Sequence, residues 1–146
     1  ITYHFDPSEF GGWFDRVDVY FLVSLDILRR LWGKKIQVSG DDEAVGRHGG
    51  ESESRHNIDK WGSVFAADLF PDGVSTIADA KQFIALAKSV GFNGIGLYPK
   101  WSGGIGFHLD RRDVFATWGA YYAINDKGKR EQKYCSLNDA LQMLEG

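Results

Sequence analysis

A single cysteine, Cys135, stands in 146 residues, so no internal disulfide is available and packing, with or without a bound ion, must hold the fold. The chain also has no excess of positive charge. Its formal net charge is -3 and no Lys/Arg run exceeds two residues, which gives no general attraction to phosphate backbones or anionic lipid and argues against a nucleic-acid partner. Long hydrophobic runs are missing as well. The best candidate, Val17 to Leu31, is interrupted by Asp18, Ser24, Asp26, Arg29 and Arg30, so it reads as an amphipathic helix and no membrane span is expected. Nor does Ile1-Thr2-Tyr3-His4 show the basic start and apolar core of a secretory signal.

What is present suits one globular domain, 1–146, since 43% hydrophobic content at this length is enough for a real core. Spacing of Val17, Tyr20, Phe21, Leu25, Leu28 and Leu31 predicts a helix over 14–32 stopped by Gly33, and Ile36-Gln37-Val38 predicts a short strand. A loop rich in Gly, Ser and charge follows to Ser54. The run 64–70 reads as a buried strand with an acid inside it, closed by Pro71-Asp72-Gly73. Ser75 or Thr76 caps a second helix carrying Ile77, Ala80, Ile84, Leu86, Ala87 and Val90, with Gly91 closing it. Segments 92–98 and 105–110 predict neighbouring antiparallel strands around a turn at 99–104. Segment 114–124 predicts one more strand, 125–128 a turn, and Ser136 the cap of a terminal helix to Leu144. The expected class is α+β, a small antiparallel sheet flanked by helices.

Chemistry concentrates in His56, Asp68 and His108. Two imidazoles and a carboxylate on separate elements are the donor set a catalytic zinc takes, with a fourth position left open. Asp68 is favoured over the nearer Asp59, because its apolar flanks imply a fixed, inward carboxylate while Asp59 lies in a polar stretch. His4 and His48 stand in no such context and read as ordinary histidines. The glycine-rich segment 94–106 lacks the G-K-[ST] ending and following helix of a phosphate loop, so turns between strands explain it better. Asp110 shares a strand face with His108, which leaves it either as a general base or as a carboxylate orienting the imidazole. Arg111-Arg112 with Asp110 and Asp113 reads as a mutually paired cluster, from which an arginine could hold Asp110 in place.

Ser54-Arg55-His56, Ala66-Ala67-Asp68-Leu69, Gly94-Ile95-Gly96-Leu97-Tyr98-Pro99 and Phe107-His108-Leu109-Asp110 occur in an order that resembles the S-x-H, A-x-D-[IL], G-[IV]-G-x-Y-P and F-[VI]-H-x-D strings of peptidase family M15. Tyr3-His4-Phe5-Asp6-Pro7-Ser8-Glu9-Phe10 resembles the opening common in its phage and bacterial branch. The family comprises zinc-dependent D-Ala-D-Ala carboxypeptidases and murein endopeptidases that share the hedgehog fold. The resemblance implies a hedgehog-like domain with one Zn2+ on His56, Asp68 and His108, hydrolysing an amide in peptidoglycan stem or cross-link peptides. It implies further that Arg47 contacts the substrate carboxylate or developing oxyanion, with Arg55 as competitor, and that Ser54, Tyr98 and Trp101 line the cleft. Trp118 would be core or site wall. A phage origin would make virion or tail proteins possible partners and the cell wall the place of action.

Two departures from the family are visible. The first two ligands stand closer together there than His56 and Asp68 do here, and the positions ahead of the last histidine, where many members carry an acid or histidine, are Ile105 and Gly106. The second departure sustains an alternative, a virion or wall-binding module that keeps the fold with little or no turnover.

Overall fold

The computed structural model describes residues 4–144. Tyr3, the first residue of the opening motif, lies outside them. A 3-10 segment, Pro7–Arg16, is capped by Asp6 and kinks at Gly11, where φ is 60°. The first long helix, α1 (Val19–Trp32), starts on the Asp18 side chain and ends at Gly33 in the left-handed region with φ 76°. β1 (Ile36–Val38) and the single turn α2 (Ile58–Trp61) precede β2 (Ala66–Pro71). Helix α3 (Ile77–Val90) has a Thr76/Asp79 capping box and closes on Gly91. Then come β3 (Gly94–Trp101), β4 (Gly104–Asp110), β5 (Ala116–Ile124), β6 (Arg130–Cys135) and α4 (Leu137–Gln142), the last capped by Ser136.

The class is α+β, built on one six-stranded sheet in the order β1-β2-β4-β3-β5-β6. Its pairings are antiparallel except one: β3 and β5 run parallel, Gly94 beside Ala116 and Gly96 beside Trp118, so the sheet is mixed and not purely antiparallel. The chain leaving β4 passes the start of β3 in the loop 111–115, tied there to Asn93, a connection that the alternation of single strands does not encode. The sequence pattern does not predict β6. Its residues, Arg-Glu-Gln-Lys-Tyr-Cys, have no apolar face because it is the edge strand. Val64 and Phe65 fall outside β2: Val64 bridges to Val17 and thereby ties the 3-10 segment to the sheet.

One face of the sheet is the core. Ala67, Leu69, Ile95, Leu97, Phe107 and Leu109 alternate onto it and pack under α1 and α3, with Phe83 against Phe107 at 4.7 Å and Trp32 edge-on to Phe83. No helix among the described residues is long and apolar enough to cross a membrane. The other face carries Asp68, His108, Asp110, Tyr98 and Trp118, and the loop between β1 and β2 folds over its edge. Between that loop and the face runs a cleft of about 920 Å³.

Candidate metal centre

His56 ends the loop and is delivered to the sheet by backbone pairing. The Arg47 N–H donates to the His56 carbonyl at 2.9 Å, and the Ile58 N–H donates to the Arg47 carbonyl at 2.9 Å. Asn57, fully buried, holds the loop together. Its side-chain oxygen accepts from the N–H groups of Gly49 and Asp59, and its amide donates to the carbonyls of Gly50 and Ser52. Nothing in the linear pattern singles this residue out, since its partners are all main chain. Replacing Asn57 with alanine should lower stability by about 2 kcal/mol, because four backbone groups lose at once the buried amide that satisfies them. Urea denaturation measures this, and an unchanged midpoint would refute it.

Asp68 and His108 are registered across β2 and β4 as direct partners. His56 Nε2 lies 3.1 Å from His108 Nδ1, and Asp68 Oδ1 lies 3.3 Å from each of those nitrogens. Three donors each about 2.0–2.1 Å from a tetrahedral zinc are separated by about 3.3–3.4 Å, so the triangle already has the required edge lengths. Among the described residues this is the group of His, Cys, Asp and Glu side chains whose ligand atoms gather closely enough to hold an ion.

Proton placement makes the same point. His56 Nδ1 faces the Val45 carbonyl at 2.9 Å, which can only accept, so the ring proton sits there and Nε2 turns a lone pair inward. His108 Nε2 faces Asp110 Oδ2 at 2.6 Å, which leaves Nδ1 bare in the neutral ring. With an ion bound, both rings would be neutral and two lone pairs and the Asp68 oxygen would converge on one point; without it, a proton on His108 Nδ1 fills the same place between Asp68 and His56. The electrostatics agree in direction. Burial raises the Asp68 carboxyl, but hydrogen bonds from His108 and His56 outweigh it and bring it to about 2. Burial likewise lowers His108, and Asp110 and Asp68 overcome it to reach about 9. The pocket between these carboxylates favours positive charge, supplied by a proton on His108 or by a cation held on the mixed nitrogen and oxygen donors.

Asp110 is not in the cleft. It is fully buried beneath His108, with Arg112 donating Nε–H to Oδ1 at 2.8 Å and an η nitrogen to Oδ2 at 2.5 Å. Burial pushes its carboxyl up, yet the Arg112 and His108 hydrogen bonds bring it to about 2. Of the two roles open to Asp110, general base or carboxylate orienting the imidazole, the geometry fits the second, since both oxygens are committed and the side chain is fully buried. Arg112 is the arginine that holds it, and also lies 5.0 Å from the Trp118 ring.

The glycines of β3 make room for this arrangement. A Cβ on Gly94 would stand 2.1 Å from Asp110 Oδ1, and one on Gly96 would stand 2.6 Å from the Trp118 ring. On β4, Gly106 leaves the place taken by the Trp101 ring, which stacks on Tyr98 at 3.9 Å.

Arg47, Arg55, Ser54, Tyr98, Trp101 and Trp118 all line the cleft with the three donors. Arg47 is salt-bridged to Glu43 at 3.1 Å, whereas Arg55 lies over the Trp61 ring and donates to the Glu53 carbonyl. The Ser54 hydroxyl accepts weakly from the His56 N–H at 3.3 Å. Asp59 takes no part in the donor triangle, since its carboxylate binds His48 Nδ1 at 2.7 Å and the Gly50 N–H. Trp118 donates its indole N–H to the Tyr98 hydroxyl at 3.1 Å, and burial raises the Tyr98 phenol far above its ordinary value. That hydroxyl is neutral, fixed in place and retains a proton to donate.

The chain matches no family model, no curated protein and no solved structure. The resemblance to zinc peptidases rests on the sequence motifs.

Proposed function

We propose that the chain is a zinc peptidase of the M15 type, hydrolysing an amide bond in peptidoglycan stem or cross-link peptides and derived from a phage. The observation that carries this reading is the donor triangle of His56, Asp68 and His108 on the floor of a long open cleft. A structural ion is normally enclosed by four protein ligands, whereas three beside a cleft leave a place for water and substrate. Zinc, when bound, supplies Lewis-acid activation of water and of the scissile carbonyl.

The chain's own groups do the rest. His56 and His108 are held in their metal-binding tautomers by Val45 and Asp110. Tyr98 donates its free proton toward the developing oxyanion, and the Trp118 indole keeps the hydroxyl aimed. Arg47 offers a fork of donors to a substrate carboxylate or to the same oxyanion once Glu43 releases it. Trp101 and Ser54 form cleft wall. With Asp110 buried, proton transfer falls to a carboxylate that faces the cleft, and Glu43 and Glu53 stand on its loop side, paired respectively with Arg47 and Lys60.

Digestion of purified muropeptides by the zinc-loaded protein tests the proposal, with His108→Ala as the inactive control and product masses naming the bond cut. Cleavage lost in His108→Ala supports it. A protein that binds zinc yet leaves every muropeptide intact refutes it. The buried Asp110 and the apolar Ile105 and Gly106 ahead of the last ligand favour a second reading for that outcome, a virion or wall-binding module on the same scaffold.

A further inference from the structure

The cleft continues past the metal centre onto the hairpin of β5 and β6, where Tyr122, Arg130, Gln132 and Tyr134 line it. Register puts these four on one face, since Tyr122 pairs with Gln132 and Ala120 with Tyr134, and residues two apart along a strand share a side. The hydrogen-bonding groups there are unusual in their sign. The Arg130 guanidinium lies 3.7 Å from the Tyr122 ring centroid and makes none of the ion pairs found among the described residues; neighbouring Glu131 is bridged to Lys133 instead. Gln132 donates its amide to the Tyr134 hydroxyl oxygen at 2.8 Å, which leaves the Tyr134 proton free. Stacking restricts the guanidinium while keeping its N–H edge available, so less freedom is lost when it binds a planar anion. A lip that offers charged and neutral donors is matched by an acceptor.

We propose that the β5–β6 hairpin is a carboxylate-binding subsite, with Arg130 as the recognising residue and the Tyr134 hydroxyl as its neighbour, taking the free carboxylate of a peptide laid along the cleft. This deepens the peptidase reading and rests on its premise of a peptide ligand. Distance supports a peptide of modest length. Trp118 is registered beside Gly96, and Gly96 beside His108. Tyr122 lies four residues further along β5, so at about 3.3 Å per residue and 4.8 Å per strand it stands about 16 Å from His108, the span of four or five extended residues. The subsite therefore selects a group remote from the reacting bond, and would govern which peptides bind more than how fast they react.

Binding separates this proposal from catalysis. An N-acetylated alanine hexapeptide with a free terminal carboxylate, and the same peptide ending in an amide, are titrated against tryptophan fluorescence, for which Trp101 and Trp118 in the cleft are reporters. Both zinc-loaded and chelator-stripped protein are used. Wild type is expected to bind the acid about five- to tenfold more tightly than the amide in both states, Arg130→Gln to bind the two alike, and Arg130→Lys to keep part of the preference. Absence of binding or of any preference in wild type overturns the proposal, as does a preference that survives in Arg130→Gln. A preference that disappears with the zinc also overturns it, because the carboxylate is then on the metal. Failure of the peptidase reading looks different: muropeptides stay uncut while the Arg130-dependent preference persists.

Discussion

Asp68→Ala is expected to abolish zinc binding at the cleft, and with it all zinc-dependent turnover, while leaving a folded chain. The carboxylate is the anionic member of the triangle, 3.3 Å from both ligand nitrogens, and it supplies the charge that a divalent ion requires there. Its partly exposed place on the cleft face of β2 means that removing it opens no cavity in the core on the opposite face, where Ala67 and Leu69 pack. Thermal melting makes the loss measurable without a substrate. At a free zinc concentration about a hundredfold above its dissociation constant, binding to the native state alone stabilises by about 2.7 kcal/mol, which for a chain of this size raises the midpoint by roughly 5–10 °C. Wild type should show that rise and saturate at one equivalent, whereas Asp68→Ala should melt at the same temperature with or without zinc. A variant that retains the zinc-dependent rise would remove Asp68 from the site.

Much of this centre was legible in the linear chain because each ligand is locally marked. His108 and Asp68 lie in short apolar strands whose alternation commits their side chains to the face opposite the core, and an acid in such a run requires a partner. Helix α3 was equally open to reading, since its capping residues and apolar spacing agree about where it starts and stops, whereas α1 was read correctly only at its Gly33 end: the expected start at 14 falls in the 3-10 segment Pro7–Arg16, and the helix begins at Val19 on the Asp18 cap. What escaped was information held between segments. The one-turn helix α2 exists because Asn57 and Gly62 cap it and the loop ahead of it is tied to the buried Asn57, a tertiary arrangement with no periodic signature. The charged edge strand β6 is defined by its partner β5 rather than by its own composition, and the parallel β3/β5 contact by a crossover. Asp110 illustrates the same limit: alternation placed it beside His108, but only the Arg112 fork and the absence of a side chain at Gly94 show that it is sealed away from substrate.

That seal leads to the second large effect, in a residue that touches no metal. Asp110 keeps the His108 proton on Nε2 because a carboxylate can only accept, and so keeps the Nδ1 lone pair turned toward the ion. Asp110→Asn retains the shape but can present an amide N–H to Nε2. The ring then carries its proton on Nδ1, directly in the metal position, and Arg112 loses the charge it neutralises. Zinc affinity should fall about 10- to 100-fold, the usual consequence of losing the carboxylate behind a metal-binding histidine. Gly94→Ala reaches the same outcome by a steric route. Its Cβ would meet Asp110 Oδ1 at 2.1 Å, closer than any real contact, so the carboxylate or β3 must shift, at a further cost of about 1–3 kcal/mol in stability. The strand itself has little freedom to move, because the next residue, Ile95, packs fully buried on the core side of the sheet. The carboxylate is therefore the group that gives way. Competition with a chromophoric chelator measures both affinities. Zinc affinities within threefold of wild type for both variants would show that His108 needs no help to present Nδ1, and would reduce Asp110 to a buried ion pair.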